Sequence, residues 1–336
     1  MSREGQRWFD GQDWVPLYLV SLMLVALLLA IAGVGQATKA TGPHPTPITP
    51  DASPAPRASP PPGLSMPTPG SGQRPSGLPG GAKRIFAPGR ILVAYYGTAG
   101  TGSLGVLGDA PPDAIMPRLS RAAAAFAIGG RTVQPVFELI VRVARGGPTA
   151  NGTFSADISP QKVRAYIDAA HRHGVLLVLD LQPGRADFLS VAKRWQWALS
   201  DPWVGLALDP EWRVGPGQRP AQVIGSVSAA EVNAVSAWLS DLTARDHLPQ
   251  KLFVLHQFRL SMIRGARYIV PRAGLVMVQH VDGFGSPQAK LATYKTVARP
   301  AQFVMGFKLF YDQDHPRMSP AAVLRIRPEV RFVSFQ

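Results

Sequence analysis

Eight short apolar runs between residues 84 and 336 constrain the fold more than any other feature of the chain. Most are apolar almost without interruption, as expected for parallel strands that are covered on both faces. Amphipathic segments separate several of them, and one of these begins with Ser228 three residues before Glu231, a helix-capping pattern. The pattern predicts an α/β fold, a (β/α)8 barrel of the TIM type. The runs are RILVAYYG (90–97), VQPVFELIVRV (133–143), VLLVLDLQ (175–182), VGLALDPEW (204–212), KLFVLHQF (251–258), GLVMVQHVDGFG (274–285), FVMGFKLFY (303–311) and RFVSFQ (331–336).

An open, doubly wound sheet is the alternative arrangement of the same strands. Such a sheet often carries a Gly-rich loop for a dinucleotide after its first strand. The segment GTAGTGSLGVLG (97–108) is Gly-rich but lacks the Lys-Ser/Thr ending of a phosphate-binding loop. We therefore expect it to form a lip over a pocket at the mouth of a barrel.

The first 83 residues predict a membrane anchor and a spacer. Residues 17–35 carry no charge, and this segment is close to the length that a bilayer-spanning helix needs. Residues 1–16 are then a short cytoplasmic tail, and residues 36–83, rich in Pro and Gly, are a disordered linker. This order predicts a single-pass protein of the cell membrane whose barrel domain, residues 84–336, is extracytoplasmic. Cleavage near Gln36 is the alternative to an uncleaved anchor.

Composition excludes several kinds of chemistry. The chain has no cysteine, which removes disulfides, thiolate catalysis and thiolate metal ligands. Its formal net charge of +14 indicates acidic neighbours such as anionic lipid or wall polymer. No run of Lys and Arg is dense enough to predict nucleic-acid binding.

The segment RWFDGQDWVP resembles the end of a short Trp-containing module that precedes transmembrane helices in many actinobacterial proteins. Trp8, Asp10, Gly11 and Trp14 fit its W-x-D-G-x-x-W pattern. The resemblance implies a lineage and a membrane-anchored protein, and it implies no activity.

Polar side chains end most of the predicted strands. In a barrel of this kind the active site lies at the carboxyl ends of the strands, and alternate residues along a strand share a face. Asp209 and Glu211 then share one face, as do His280 and Asp282, and the polar groups converge on one pocket. We predict Asp209 and Glu211 as catalytic residues. The predicted substrate-binding residues are Tyr95, Tyr96, Glu138, Asp180, Trp212, His256, His280, Asp282, Lys308 and Asp312.

Metal catalysis is the chief chemical alternative. Asp180, Asp209, His256, His280 and Asp282 are suitable ligand types. A barrel metallohydrolase typically has a His-x-His pair on its first strand, and this chain has none there. We therefore predict no metal and no cofactor. Lys308 is a second alternative, as a Schiff-base lysine, although an ion pair with Glu138 or Asp180 is the simpler expectation.

The D-x-E of Asp209 and Glu211 at the end of the fourth strand resembles two groups of barrel glycoside hydrolases. The chitinase-like family eighteen has D-x-x-D-x-D-x-E there, but Val204 and Ala207 replace its first two acids. The family twenty-five muramidases carry D-x-E on a barrel strand and an Asp on the first strand, where this chain has tyrosines. The resemblance implies that Glu211 is the general acid and that Asp209 supports the acetamido group of a sugar.

These features predict a glycoside hydrolase-like protein that acts on a cell-envelope polysaccharide. Glycoside cleavage needs one protonated carboxyl and one charged partner, and two adjacent acids repel, which raises one pKa. Trp203, Trp212, Tyr95 and Tyr96 are candidates for stacking on sugar rings. The alternative is a non-catalytic barrel that binds envelope polysaccharide, with Glu211 held by an arginine such as Arg213 or Arg259.

Overall fold

The protein was analysed as a computed structural model, which describes residues 77–336. Its centre is a closed barrel of eight parallel strands. Each strand pairs with its two neighbours in chain order, and the first strand also pairs with the last, which closes the sheet. The strands are β1 (Arg90–Gly97), β2 (Thr132–Ala144), β3 (Leu176–Leu181), β4 (Val204–Leu208), β5 (Lys251–His256), β6 (Leu275–Val281), β7 (Val304–Leu309) and β8 (Val330–Phe335).

The predicted barrel is confirmed, and the open sheet is wrong. An open sheet would leave β1 with one neighbour, but β1 pairs along its length with β2 and through Leu92–Tyr95 with β8. Each of the eight apolar runs overlaps one barrel strand, and the ends of the run and the strand differ by a few residues at most. The fourth strand ends at Leu208, and Pro210–Trp212 forms a 3-10 turn, because proline has no N–H with which to continue the ladder.

Helices cover the outside of the barrel. They are α1 (Pro112–Ala124), α2 (Pro160–His173), α3 (Phe188–Arg194), α4 (Gln196–Leu199), α5 (Ala229–Arg245), α6 (Pro287–Val297) and α7 (Pro320–Leu324). Side chains cap several of them, and Ser228 accepts a hydrogen bond from the Glu231 N–H at the start of α5. The Glu231 carboxylate bonds Phe188 N–H and Arg213 and so ties α5 to α3 and to the loop after β4.

Three short strands lie outside the barrel. Ser155–Asp157 runs antiparallel to the end of β2, and Val227–Ser228 pairs with Ile263–Arg264 beside α5. The Gly-rich segment after β1 forms two 3-10 turns, Gly102–Leu104 and Val106–Asp109, and lines the mouth of the barrel as predicted.

Two apolar layers hold the barrel together. The outer layer fills the space between the strands and the helices. The inner layer fills the amino-terminal half of the barrel with side chains such as Leu92, Val136, Val178, Val254 and Phe332.

The segment before β1 covers the amino-terminal end of the barrel. Leu78 and Ile85 are buried in the inner apolar layer, and the Trp203 indole donates a hydrogen bond of 2.6 Å to the Gly77 carbonyl. The packed region thus includes residues that precede the boundary at residue 84 predicted from composition.

No helix within residues 77–336 is long and apolar enough to cross a membrane. The predicted tail (1–16), the predicted anchor (17–35) and nearly all of the predicted linker (36–83) lie outside the described residues. Membrane attachment therefore stays a prediction.

Candidate functional site

A cavity of about 1170 Å³ opens at the carboxyl end of the barrel. The Gly-rich segment after β1, the loop after β2 and the loops after β4 to β7 surround it. Its floor and walls include seven of the residues predicted from the sequence: Tyr96, Asp209, Glu211, Trp212, Asp282, Lys308 and Asp312. The strand ends therefore converge as the alternation of polar residues predicts.

A second tier of polar residues lies beneath the cavity. Glu138, Asp180, His256 and His280 are 0% exposed and do not line the cavity itself. Each points into the barrel from a different strand, directly above the inner apolar layer. Gly306 makes room for one of them, since a Cβ there would lie 3.1 Å from the His280 ring. These four residues act on a bound molecule only through the cavity-lining groups above them.

His256 is the centre of this tier. Its Nδ1 lies 3.1 Å from Asp282 Oδ2, and its Nε2 lies 3.1 Å from Glu138 Oε1. Burial, the largest single influence, and the charge of Lys308 both lower the pKa of His256. The hydrogen bonds to Asp282 and Glu138 outweigh them, so the pKa of His256 lies well above its ordinary value. His256 is therefore an imidazolium that donates to two carboxylates.

Asp282 is the ionised carboxylate of the cavity floor. Burial raises the pKa of Asp282, but the hydrogen bond from His256 and the charge of Lys308 lower it by more. The pKa of Asp282 is therefore below its ordinary value. Asp282 Oδ2 takes both contacts, at 3.1 Å from His256 Nδ1 and 3.7 Å from Lys308 Nζ. Asp282 Oδ1 is buried and has no hydrogen-bond partner.

Lys308 has different neighbours from those expected. Its Nζ lies 3.5 Å from the centre of the Tyr96 ring and donates to Gln336 Oε1 at 3.3 Å. Its ion pair is with Asp282, so the expected pairing with Glu138 or Asp180 is wrong. The reason is the strand order: β7 lies beside β6, which carries Asp282, and on the other side of the barrel from β3.

Asp180, Asp209 and Glu211 have raised pKa values. Burial is the largest cause in each case. It raises the pKa of Asp180 to about 6. The pKa of Asp209 lies well above its ordinary value because of burial and the neighbouring charge of Asp180. Burial and the charge of Asp282 raise the pKa of Glu211 to about 8, although Lys308, His256 and Arg259 act against the shift.

The charges of the floor therefore sort into two groups. Glu138 and Asp282 pair with the cations His256 and Lys308 on the side of the barrel formed by β5 to β7. Asp209 and Glu211, which follow β4, both have raised pKa values, and that of Glu211, at about 8, favours its protonated form at neutral pH. The oxygens Asp180 Oδ1 and Asp209 Oδ1 are buried without a hydrogen-bond partner.

The turn after β4 positions Glu211. Gly225 N–H donates to the Glu211 carbonyl at 2.6 Å, and a Cβ at Gly225 would collide with the carbonyls of the same turn. Asp209 is 2% exposed, whereas Glu211 is partly exposed, toward the cavity. Arg213 pairs with Glu231 at 3.1 Å, and the charge of Arg259 lowers the pKa of Glu211.

Some predicted residues lie elsewhere. Tyr95 points outward from β1, where its hydroxyl contacts Arg118 and Tyr311 in the layer under the helices. Trp203 lies at the opposite end of β4 from the cavity. Gln279, which precedes the predicted His280 on β6 and was not itself predicted, donates to Gln257 Oε1 and to the Val297 carbonyl, and so braces the outside of the barrel.

Sequence reasoning missed several cavity residues. Phe258, Phe284, Phe310, Tyr311 and Gln336 all line the cavity. Gln336 follows Phe332 and Ser334 at steps of two, so alternation along β8 indicates its inward direction. The aromatic residues lie in loops, for which the sequence offers no comparable period.

The alternative metal site has little geometric support among the described residues. Within residues 77–336, no group of three His, Asp or Glu side chains is arranged to hold a metal ion. Both ring nitrogens of His256 contact carboxylates, which leaves that imidazole no free lone pair to offer.

No protein-family model matches the sequence, and no curated protein matches it. The evidence of function is therefore the barrel and its polar cavity.

Proposed function

We propose that this protein is a glycoside hydrolase that acts on a cell-envelope polysaccharide, with Glu211 as the general acid and Asp209 in support. The observation that carries the proposal is the contrast between two carboxyl groups of one cavity. Burial and the Asp282 charge raise the pKa of Glu211 to about 8, while the pKa of Asp282 is lowered. A protonated and an ionised carboxyl in one site are what glycoside cleavage requires.

Glu211 gives its proton to the leaving oxygen as the glycosidic C–O bond breaks. Water supplies the hydroxyl that forms the new C–O bond at the anomeric carbon, and the remaining proton of that water restores Glu211. The ionised Asp282 stabilises the positive charge that builds on the sugar ring in between. Atoms and charge balance without any further reactant.

His256 and Lys308 keep Asp282 ionised in this mechanism. A carboxylate in a dry cavity takes up a proton unless cations or hydrogen bonds compensate its charge. Asp282 receives both contacts on Oδ2, which leaves Oδ1 for the substrate. The charged partner of Glu211 is thus Asp282, directly after β6, and Asp209 keeps the supporting contact with the sugar that the resemblance to known hydrolases implies.

The cavity has room for a chain of sugars. Its volume is about 1170 Å³, and the aromatic residues Trp212, Phe284 and Tyr311 lie on its wall. Aromatic faces and convergent polar groups are the usual lining of a small-molecule site. Attachment to the membrane through residues 17–35 would hold this cavity close to envelope glycans.

The test is release of reducing ends from a panel of envelope glycans by the purified full-length chain. Glu211→Gln removes the proton and keeps the shape, so it should lower the rate by roughly 10²–10⁴ with ligand binding largely kept. Glu329→Gln is the matched control, because Glu329 lies on the surface, half-exposed. Binding of a glycan without cleavage by the parent would refute the hydrolase and favour a non-catalytic polysaccharide-binding barrel.

A further inference from the structure

We propose that the sugar bound on the β3–β4 side of the cavity carries an ammonium group, so that the substrate is a glycan with unacetylated amino sugars. This inference rests on the proposed function, from which it takes a glycan as the ligand. It concerns which kind of glycan the site selects. The site in question is formed by Asp209, with Asp180 beneath it and Tyr96 and Gln182 beside it.

The charges at the floor of the barrel are distributed unevenly. Five carboxyl groups meet at the floor of the barrel: Glu138, Asp180, Asp209, Glu211 and Asp282. The ion pairs between floor residues are those of His256 and Lys308, and both cations contact Asp282. These ion pairs leave out Asp180 and Asp209, the acids near the ends of β3 and β4, so an arriving cation can compensate them.

The unpartnered oxygen atoms of the floor also favour a cationic ligand. Asp209 lines the cavity and is 2% exposed, and its Oδ1 has no hydrogen-bond partner. Unpartnered oxygens also remain on Asp180, Glu138 and Asp282, whereas His280 Nδ1 is the unpartnered nitrogen of the same floor. The floor therefore lacks donors. An ammonium brings three donors, and an acetamido group brings one N–H.

The position of Lys308 in the barrel leaves the surroundings of Asp209 open to a cation. Lys308 would repel an ammonium group close to it. It lies on β7, however, and its Nζ contacts Tyr96, Asp282 and Gln336. Asp209 lies at the end of β4, three strands away around the barrel. Tyr96 donates to Asp180 Oδ2 at 2.6 Å, and Gln182 donates to the Tyr96 hydroxyl at 3.3 Å. These bonds hold Asp180 in place, while Asp209 Oδ1 has no hydrogen-bond partner and is left for the ligand.

The experiment compares binding of glucosamine and N-acetylglucosamine oligomers of equal length to the full chain by calorimetry at pH 6.5. We expect the amine to bind at least about tenfold more tightly, the size of one charge-assisted hydrogen bond. Asp209→Asn should abolish the preference. Asp241→Asn, which removes an exposed carboxylate on α5 that does not line the cavity, should keep it.

The pH dependence supplies a second measurement on the parent alone. The charged groups that face Asp209 are Asp180 from β3, Glu211 from the next turn, His256 from β5 and Asp282 from β6. Because the bound ammonium competes with the proton of Asp209, amine binding should strengthen as the pH rises from about 4 to about 6, a range in which the sugar ammonium keeps its own proton, while N-acetyl binding should not.

The outcomes separate the two proposals. Preference for the amine without cleavage refutes the hydrolase and leaves the ligand assignment standing. Equal binding, preference for the acetylated oligomer or binding of neither overturns the assignment. Trilysine tests whether any ammonium suffices: binding as tight as that of the amino sugar would overturn the sugar part of the assignment.

Discussion

The lower and upper halves of the barrel interior are built on the same strands and have opposite chemistry. Below, Val136, Val178 and Val254 fill the interior with apolar groups. Two residues further along β2, β3 and β5, the inward-facing side chains are Glu138, Asp180 and His256. The lower half gains free energy as apolar surface leaves water. The upper half contains buried ionisable groups, which destabilise a fold unless they are paired or protonated.

This comparison indicates where stability and function are separated. The apolar half holds the strands in register, so that the polar half can keep charged groups away from water. The imidazolium of His256 joins two carboxylates in one half, while the inward-facing side chains one layer below form an apolar cluster. We therefore expect substitutions in the apolar half to change stability with much less dependence on pH than substitutions in the polar half.

The largest expected effect is that of His256→Ala. The change leaves Glu138 and Asp282 buried without their shared cation, and breaking a buried pair in this way costs about 3–5 kcal/mol. Urea denaturation at pH 3, 5.5 and 9 measures the free energy of unfolding. A cost that is equal at all three values would refute the assigned ion pairs.

The sign of this pH dependence follows from the two partners. The pKa of Asp282 is lowered from 3.8, so its stabilisation is present above that value and is lost as the pH falls through the folded pKa. The pKa of His256 is raised above 6.5, so its stabilisation is complete below that value and is lost as the pH rises through the folded pKa. The cost of His256→Ala should thus be greatest between these values, near pH 5.5.

Leu252→Ala tests the lower half on the same strand. Leu252 is 2% exposed and lies four residues before His256. Its truncation should cost about 2–4 kcal/mol through lost apolar contacts and the cavity left behind. The same denaturation series should show this cost varying much less between pH 5.5 and pH 9 than the cost of His256→Ala. A pH dependence like that of His256→Ala would remove the distinction between the halves.

Gly205→Ala should have a smaller effect in the lower half. A Cβ at Gly205 would lie 2.7 Å from the Leu252 carbonyl oxygen and 2.9 Å from Leu252 Cβ. Overpacking of this kind costs about 1–3 kcal/mol. Gly146→Ala is the matched control, since a Cβ there meets nothing within 4 Å. Equal melting temperatures for the two variants would contradict the close packing of β4 on β5.

The sequence predicts the barrel well because apolar runs and alternation follow from backbone geometry. It also predicts most of the site, because inward positions at strand ends are fixed by the same period: Glu138, Asp180, His256 and Lys308 all follow it. Tyr95 and Tyr96 show the limit, since adjacent residues take opposite faces and only the structure identifies Tyr96 as the inward one.

The sequence does not predict which charged side chains pair or which carboxyl groups are protonated. Whether Lys308 pairs with Asp282 or Asp180 depends on which strands are neighbours in the closed barrel. Asp209 and Asp282 are the same residue type, with an ordinary pKa of 3.8, yet their pKa values shift in opposite directions. That difference arises from His256 and Lys308, which lie far from Asp209 in the chain and reach Asp282 through the fold.

The smallest expected effect, and one of opposite sign, is that of Glu211→Gln on stability. The pKa of Glu211 is raised from 4.5 to about 8. A raised folded pKa means that its favourable contribution is complete below pH 4.5 and is lost as the pH rises through about 8. At pH 9 the parent therefore carries a partly exposed carboxylate under the influence of the Asp282 charge, which the glutamine variant lacks.

Glu211→Gln should accordingly be more stable than the parent at pH 9, by roughly 1–2 kcal/mol after allowance for its partial contact with solvent. At pH 5 the two proteins should melt at nearly the same temperature. Calorimetric melting of both, with Glu329→Gln as the surface control, measures the difference. If the variant is less stable than the parent at pH 9, Glu211 braces the loop after β4, its carboxylate is already compensated, and it cannot keep the proton that the general acid must donate.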